Sequence, residues 1–104
     1  MASGVYAKVD ITSANTWTTL VAPPTSGNKV TTVNLVNRTA GNVKVRIALA
    51  ETTTVTDSDV IEYDVTLPAN GVLERTGLVL DSTNGVQVYA AATGVTATAY
   101  GIDG

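Results

Sequence analysis

From Val5 to Ile102 the chain repeats one pattern: a short Val/Thr-rich run of alternating apolar and polar positions, then a cluster of Gly, Pro, Asn, Asp or Ser. Successive side chains of a strand point to opposite faces, so a period of two marks a strand with one face toward an apolar interior and the other toward water. In Val5-Tyr6-Ala7-Lys8-Val9-Asp10-Ile11 the residues Val5, Ala7, Val9 and Ile11 share one face, and Tyr6, Lys8 and Asp10 the other. Thr12-Ser13-Ala14-Asn15 supplies a turn. A second run, Thr16 to Val21, stops at Pro23-Pro24-Thr25-Ser26-Gly27-Asn28, because proline cannot donate to a central ladder.

The next two runs, Lys29 to Asn37 and Gly41 to Glu51, read as a hairpin around Arg38-Thr39-Ala40. With Asn37 facing Gly41, Leu35 meets Val43, Val33 meets Val45 and Thr31 meets Ile47; a slip of one residue would set Leu35 against Lys44. After a polar loop from Thr52 to Ser58, Asp59 to Leu67 and Val72 to Leu80 read as a second hairpin around Pro68-Ala69-Asn70-Gly71, a proline-first, Asn-Gly-last turn. Pairing Leu67 with Val72 sets Asp64 against Arg75 and Ile61 against Leu78. It also sets Glu74 opposite Val65 on the apolar face, which calls for a bulge, a partner group or a place at the open end. Asp81-Ser82-Thr83-Asn84-Gly85 turns the chain again, and Val86 to Ala91 and Val95 to Ile102 close the set through Ala92-Thr93-Gly94.

Eight such strands predict an all-β protein, an antiparallel β-sandwich that is Ig-like or jelly-roll-like, with residues 1–104 as one domain. The composition agrees. Of 104 residues 44% are hydrophobic and none is phenylalanine, so the interior is built from valine, alanine, leucine and isoleucine, with four tyrosines and Trp17 as its large rings. A chain of this size buries roughly two-thirds of its unfolded surface, enough for one core without metal or disulfides.

Charge and residue usage narrow the chemistry. The net charge is −3, and the six basic residues are spread singly, leaving no positive footprint for nucleic acid. Cysteine is absent, so no disulfide framework exists. Met1-Ala2-Ser3-Gly4 has neither the basic nor the apolar segment of a signal peptide, and no run approaches the ~18 apolar residues of a membrane span. Synthesis in the cytoplasm and no membrane partner are expected. Histidine is absent too, and with it most acid–base, nucleophilic and metal chemistry at neutral pH, so the chain is expected not to be an enzyme.

The remaining candidates each have an ordinary reading. Asp57-Ser58-Asp59, with Glu51 and Asp64 near in sequence, is the tightest carboxylate cluster. It lacks the spacing and glycine of a calcium loop and reads as a turn before a strand. Glu62 and Asp64 share a strand face, whereas glycosidase carboxylates oppose each other across a cleft. Asn37-Arg38-Thr39 fits the glycosylation sequon and reads as a turn. Trp17 and the tyrosines could form a sugar-stacking platform or subunit contacts. Tyr6 falls on the outward face, as could Tyr89 and Tyr100, and Tyr63, alternating with Ile61 and Val65, looks inward. No cofactor and no catalytic or metal-binding residue is assigned.

Several segments carry a resemblance. They are Trp17-Thr18-Thr19-Leu20-Val21-Ala22-Pro23, Val33-Asn34-Leu35-Val36-Asn37-Arg38 leading into Val43-Lys44-Val45-Arg46-Ile47-Ala48, and Ile61-Glu62-Tyr63-Asp64. Leu67-Pro68-Ala69-Asn70-Gly71-Val72-Leu73-Glu74, Val86-Gln87-Val88-Tyr89-Ala90 and Tyr100-Gly101-Ile102 complete the set. Together they resemble the small β-sandwich virion proteins of tailed bacteriophages, found on capsids and tails, over nearly the whole chain. The loop Pro23-Pro24-Thr25-Ser26-Gly27 is longer than the tight Pro-x-Gly turn of such proteins.

The resemblance implies a non-enzymatic structural protein of the virion. The first expectation is a capsid decoration or cement protein, made in the host cytoplasm and bound in many copies to the outer capsid surface. Its implied partner is the major capsid protein or another virion protein, and its own assembly a homo-oligomer, a trimer. Alternatives are a tail fibre or baseplate component contacting the host surface, or a carbohydrate-binding β-sandwich module. No coiled-coil heptad or β-helical shaft is present, which favours the capsid. The expected partner contacts are Ala2, Ser3, Gly4, Val5 and Tyr6, then Pro23, Pro24 and Thr25, then Thr53, Thr54 and Val55. These segments combine exposed backbone with few charges, as interface cores prefer.

Overall fold

The computed structural model describes residues 3–103, with side chains from Gly4 to Ile102. Eight strands follow one another: β1 Ser3–Ile11, β2 Thr18–Val21, β3 Lys29–Asn37, β4 Val43–Ala50, β5 Val60–Leu67, β6 Val72–Leu80, β7 Gly85–Ala90 and β8 Val95–Asp103. They form two four-stranded antiparallel sheets. Sheet I has the order β1-β8-β3-β6 and sheet II the order β2-β7-β4-β5. This is the strand order of a jelly roll, in which the chain passes from one sheet to the other at nearly every connection. Of the two folds expected, the immunoglobulin-like one is thereby set aside.

The strand boundaries follow the alternation closely, but the pairing does not. β3 and β4 are not a hairpin: both edges of β3 are taken, by β8 and β6, and β4 lies in the opposite sheet between β7 and β5. Likewise β5 pairs with β4 and β6 with β3, so Leu67 meets Val43 rather than Val72. The β7–β8 connection also crosses between the sheets, and β4–β5 is the one consecutive pair that is hydrogen-bonded. The physical reason is that Leu35 and Val43 are both core-facing, whether they sit side by side in one sheet or in layers facing each other. Amphipathic alternation cannot tell these apart.

Between the sheets lies a core of small and branched side chains. Val33, Leu35, Val45, Ile47, Leu80, Val86, Val88, Val95, Ala97 and Ala99 are fully buried. Burying each leucine, isoleucine or valine contributes about 1.5–3 kcal/mol against exposure. Alanines on β8 let the sheets approach. At Gly101 a Cβ would run into the Val30 carbonyl oxygen, so this position admits no side chain.

The inner strands pair without interruption. β3 and β8 run in register from Lys29↔Asp103 to Asn37↔Val95, and β4 and β7 from Val45↔Ala90 to Ala50↔Gly85. Every edge strand, by contrast, breaks register: β1 between Val5 and Ala7, β2 between Thr19 and Val21, β6 opposite Thr31–Val33, and β5 opposite Val45–Ala48. Gly77 (φ +73°) lies in the β6 irregularity and Asp64 (φ +52°) in that of β5. Bulged edges twist away from flat strand addition.

These bulges re-aim three side chains. The β1 break turns Val5 outward, 60% exposed, and packs Tyr6 against the core, correcting the expectation that Tyr6 faces out. On β5, two residues oppose Arg46, which turns Tyr63 outward, 55% exposed, where alternation predicts an inward ring. Glu74 stands opposite Asn34 on the outer face of sheet I, not opposite Val65, so its expected place on the apolar face is corrected too.

Candidate functional site

The strand directions divide the connections between two ends. Segments 12–17, 38–42, 68–71 and 91–94 lie at one end. The start of β1, segments 22–28, 51–59 and 81–84, and the end of β8 lie at the other, here the terminal end.

At the first end the loops are bonded to one another. Arg38 N donates to Gly94 O at 2.9 Å, Asn70 N to Thr39 O at 3.2 Å and Asn37 N to Gly71 O at 2.9 Å. Asn37 is wholly buried. Its amide donates to the carbonyls of Gly41 (2.8 Å), Leu67 (3.2 Å) and Pro68 (3.1 Å), and its Oδ1 accepts from Thr39 N (3.0 Å) and Thr39 Oγ1 (2.7 Å). The sequon asparagine is therefore a clamp between two sheet-to-sheet crossings, with its side chain fully engaged. Buried polar groups of this kind specify one packing because each lost bond is costly.

At the terminal end, among the described residues, the side-chain bonds of segments 51–59 and 81–84 run inside each segment. Thr56 N and Oγ1 donate to Asp59 Oδ2 at 3.0 and 3.1 Å around the single 3-10 turn Asp57–Asp59. Asp81 Oδ1 accepts from Thr83 N, Thr83 Oγ1 and Asn84 Nδ2, each at 3.0 Å, and these bonds hold its carboxyl below the usual range. Asp57-Ser58-Asp59 is thus a local turn, and no cluster of three or more metal-ligating side chains occurs among the described residues.

The expected contact residues fall on this end. Ala2 lies outside the described residues, and Ser3 begins β1. Gly4 and Val5 are exposed, as are Thr25, Thr53 and Thr54; Tyr6, Pro23 and Val55 are half-buried and Pro24 is buried. Segments separated by up to half the chain thus share one end, although Pro24 and Tyr6 serve packing more than contact.

Sheet I adds an apolar outer face. Among the described residues the most exposed large apolar side chains are Val5, Val30, Tyr63, Val72, Val79 and Ile102, and all but Tyr63 stand on this face. Ile102, Val30 and Val79 are cross-strand neighbours in one row over β8, β3 and β6.

Sheet II carries a different outer face. The Trp17 and Tyr89 ring centroids are 5.3 Å apart and tilted by 52°. The Arg46 guanidinium lies 4.5 Å from the Tyr89 ring centre and 4.2 Å from that of Tyr63. Its Nε donates to Asp64 Oδ1 at 2.7 Å, which raises the arginine's pKa and lowers the carboxyl's. The Tyr89 hydroxyl donates to Asn15 Oδ1 at 3.0 Å. Trp17, Tyr89, Arg46 and Tyr63 therefore make one row across the sheet. Cation–π contacts of this sort contribute roughly 0.5–1 kcal/mol each at exposed sites. Beside the row Gln87 is buried, donating to Ala50 O at 3.2 Å and accepting from Thr19 Oγ1 at 2.7 Å. Sequence reasoning singled out Trp17 and the tyrosines but not Arg46, whose partners on β5, Tyr63 and Asp64, are both set opposite it by the bulge.

No pocket is found among the described residues, so the surfaces on offer are sheet faces and loop ends. Among the described residues no helix is long and apolar enough to cross a membrane. Compared with protein-family models, curated proteins and solved structures, the chain matches none.

Proposed function

We propose that this chain is a non-enzymatic structural protein of a bacteriophage virion, a decoration or cement protein that docks on the assembled shell through its terminal end. The observation that carries the reading is the gathering of the β1 start and segments 22–28 and 51–59 at one end, where, among the described residues, the side-chain bonds of 51–59 run inside that segment. Such loops can adapt to a partner without breaking the sandwich, while the interlocked opposite end keeps the scaffold rigid. Many copies docking through small contacts would bind tightly by effective concentration. The segment-by-segment resemblance to small virion sandwiches supports the same reading.

Gold-labelled antibody against this chain, applied to particles of the phage that encodes it, should decorate the head. Label at the tail tip would transfer the role to host contact, and particles free of label would overturn the virion assignment. Replacing Thr25 and Thr53 by lysine should lower the number of copies per particle.

A second reading rests on the Trp17–Tyr89–Arg46–Tyr63 row. Aromatic faces beside an oriented Arg–Asp pair suit a sugar ring, with stacking on one side and hydrogen bonds at the edge. A glycan array that returns a ligand, with binding lost in Tyr63→Ala and Trp17→Ala, would establish carbohydrate recognition on sheet II.

A further inference from the structure

We propose that the outer face of sheet I is covered by the same face of a second copy of this chain, related by a two-fold axis that lies in the interface and runs along the strands. The inference stands apart from any place in a virus particle, because it rests on the face itself.

The face is apolar where it should be solvated. Val5 is 60% exposed, Val30 47%, Val72 57%, Val79 56% and Ile102 62%. Between them stand Thr32, Asn34, Val36, Thr96, Thr98 and Tyr100, all uncharged and half-buried. Exposed apolar side chains gathered on one sheet face in this way mark an interaction surface.

Its charges are few and self-complementary. Among the described side chains they are Lys8 and Asp10 on the β1 edge and Glu74 on the β6 edge. Asp10 is engaged by Arg38 at 2.6 Å. Lys8 and Glu74 occupy opposite ends of a single cross-strand row, Lys8–Thr98–Asn34–Glu74, and the Tyr100 hydroxyl holds the Glu74 carboxylate at 2.9 Å.

A two-fold axis along the strands lays β1 over the partner's β6 and β8 over the partner's β3. Lys8 then faces the partner's Glu74, and by the same operation Glu74 faces the partner's Lys8. Ile102 meets the partner's Val30, and Val79 lies level with the start of the partner's β1. An axis across the strands would lay β1 on β1 and bring the two Lys8 ammonium groups to the same edge. The charges therefore select the first axis. A self-complementary patch of this kind is what a two-fold interface requires, and aligned sheets about 10 Å apart are ordinary sandwich packing.

The area suffices. Four strands about 4.8 Å apart, with about 3.3 Å rise per residue, present a face of roughly 500–600 Å². Two such faces bury about 1,000–1,200 Å², at the lower bound of stable protein interfaces.

The test is sedimentation equilibrium of the full chain, whose mass is 10.7 kDa. The expected result is a dimer mass that falls to the monomer on dilution. Lys8→Glu alone and Glu74→Lys alone should each weaken association by about tenfold or more, since each sets like charges across the interface. The double variant should restore it. Val30→Asp should leave a monomer. These side chains face solvent in the single chain, so each variant should keep its β-sheet circular dichroism. A native chain that stays monomeric or sediments as a trimer overturns the proposal. So do single charge variants that leave the mass unchanged, or a double variant that fails to rescue.

Discussion

Arg75 and Glu62 tie together two strands that share no ladder: Nη1 of Arg75 on β6 lies 2.8 Å from Oε2 of Glu62 on β5, across the open side between the two sheets. β6 and β5 are the edges of their sheets on that side with no ladder between them, and this ion pair spans the gap. The side chains are 42% and 21% exposed, so solvent screens much of the attraction. Arg75→Ala or Glu62→Ala should each lower unfolding stability by about 0.5–1 kcal/mol in urea titrations, and the double variant should cost less than the two added together. Strict additivity would mean that the pair contributes nothing of its own.

Asn37 should be far more sensitive. It is wholly buried and bonded to two crossings at once. Asn37→Ala leaves three carbonyls short of a donor and should cost about 2–3 kcal/mol by chemical denaturation. Asn37→Asp keeps the size but loses the donor and should cost at least as much. A loss below half a kilocalorie would show that the clamp is dispensable.

Gly101→Ala tests the close approach of β8 to β3. The added methyl meets backbone, the Val30 carbonyl, which cannot yield without breaking the register of the inner ladder. A loss of about 3 kcal/mol or more is expected. Gly41→Ala is the matching control, since its Cβ would stand in open space, and it should stay within about 0.5 kcal/mol of the native chain.

Acid stability follows from two carboxyls. The hydrogen bond from Arg46 holds Asp64 below its ordinary value, and the bonds from Thr83 and Asn84 do the same for Asp81. A carboxyl that is more acidic in the folded state than in the unfolded chain stabilises the fold above its unfolded pKa, about 3.9. That contribution disappears as the pH falls through the lower folded value. Thermal midpoints should therefore drop below about pH 4, and Asp64→Asn combined with Asp81→Asn should flatten that slope. An unchanged slope in the double variant would assign acid sensitivity to other groups.

Trp17 is the one tryptophan, so its fluorescence reports on the sheet II row alone. Tyr89→Leu removes the ring 5.3 Å away and separates Arg46 from one of its two aromatic faces. A red-shifted emission is expected, with little change in circular dichroism. Arg46→Met should disturb the row less at Trp17 and more at Tyr63, which the guanidinium approaches to 4.2 Å. Identical emission spectra for the native chain and Tyr89→Leu would separate the two rings functionally.

What the sequence by itself determined is the set of strands and, on the inner strands, the side that faces the core. Val33, Leu35, Val45 and Ile47 alternate with polar neighbours and are all buried. Period two is a local consequence of backbone geometry, so it can be read from neighbours along the chain. The turns were legible for the same reason, since proline, glycine and Asn-Gly act on their own dihedrals.

Which strand lies beside which was decided only in three dimensions. A core-facing valine looks the same to its own chain whether its neighbour is in the same sheet or the opposite one, so β3–β4 and β5–β6 read as hairpins although both are crossings. Ion pairs moved with the topology: Asp64 found Arg46, and Arg75 found Glu62. The bulges decided the rest. One extra residue in an edge strand reverses the faces on one side of the bulge relative to the other, which is how Tyr6 came to pack inward and Tyr63 to join Arg46 outside. The sheet II row depends on the β5 bulge, whereas on the outer face of sheet I only Val5 is re-aimed by one, Val30, Val79 and Ile102 standing where alternation puts them.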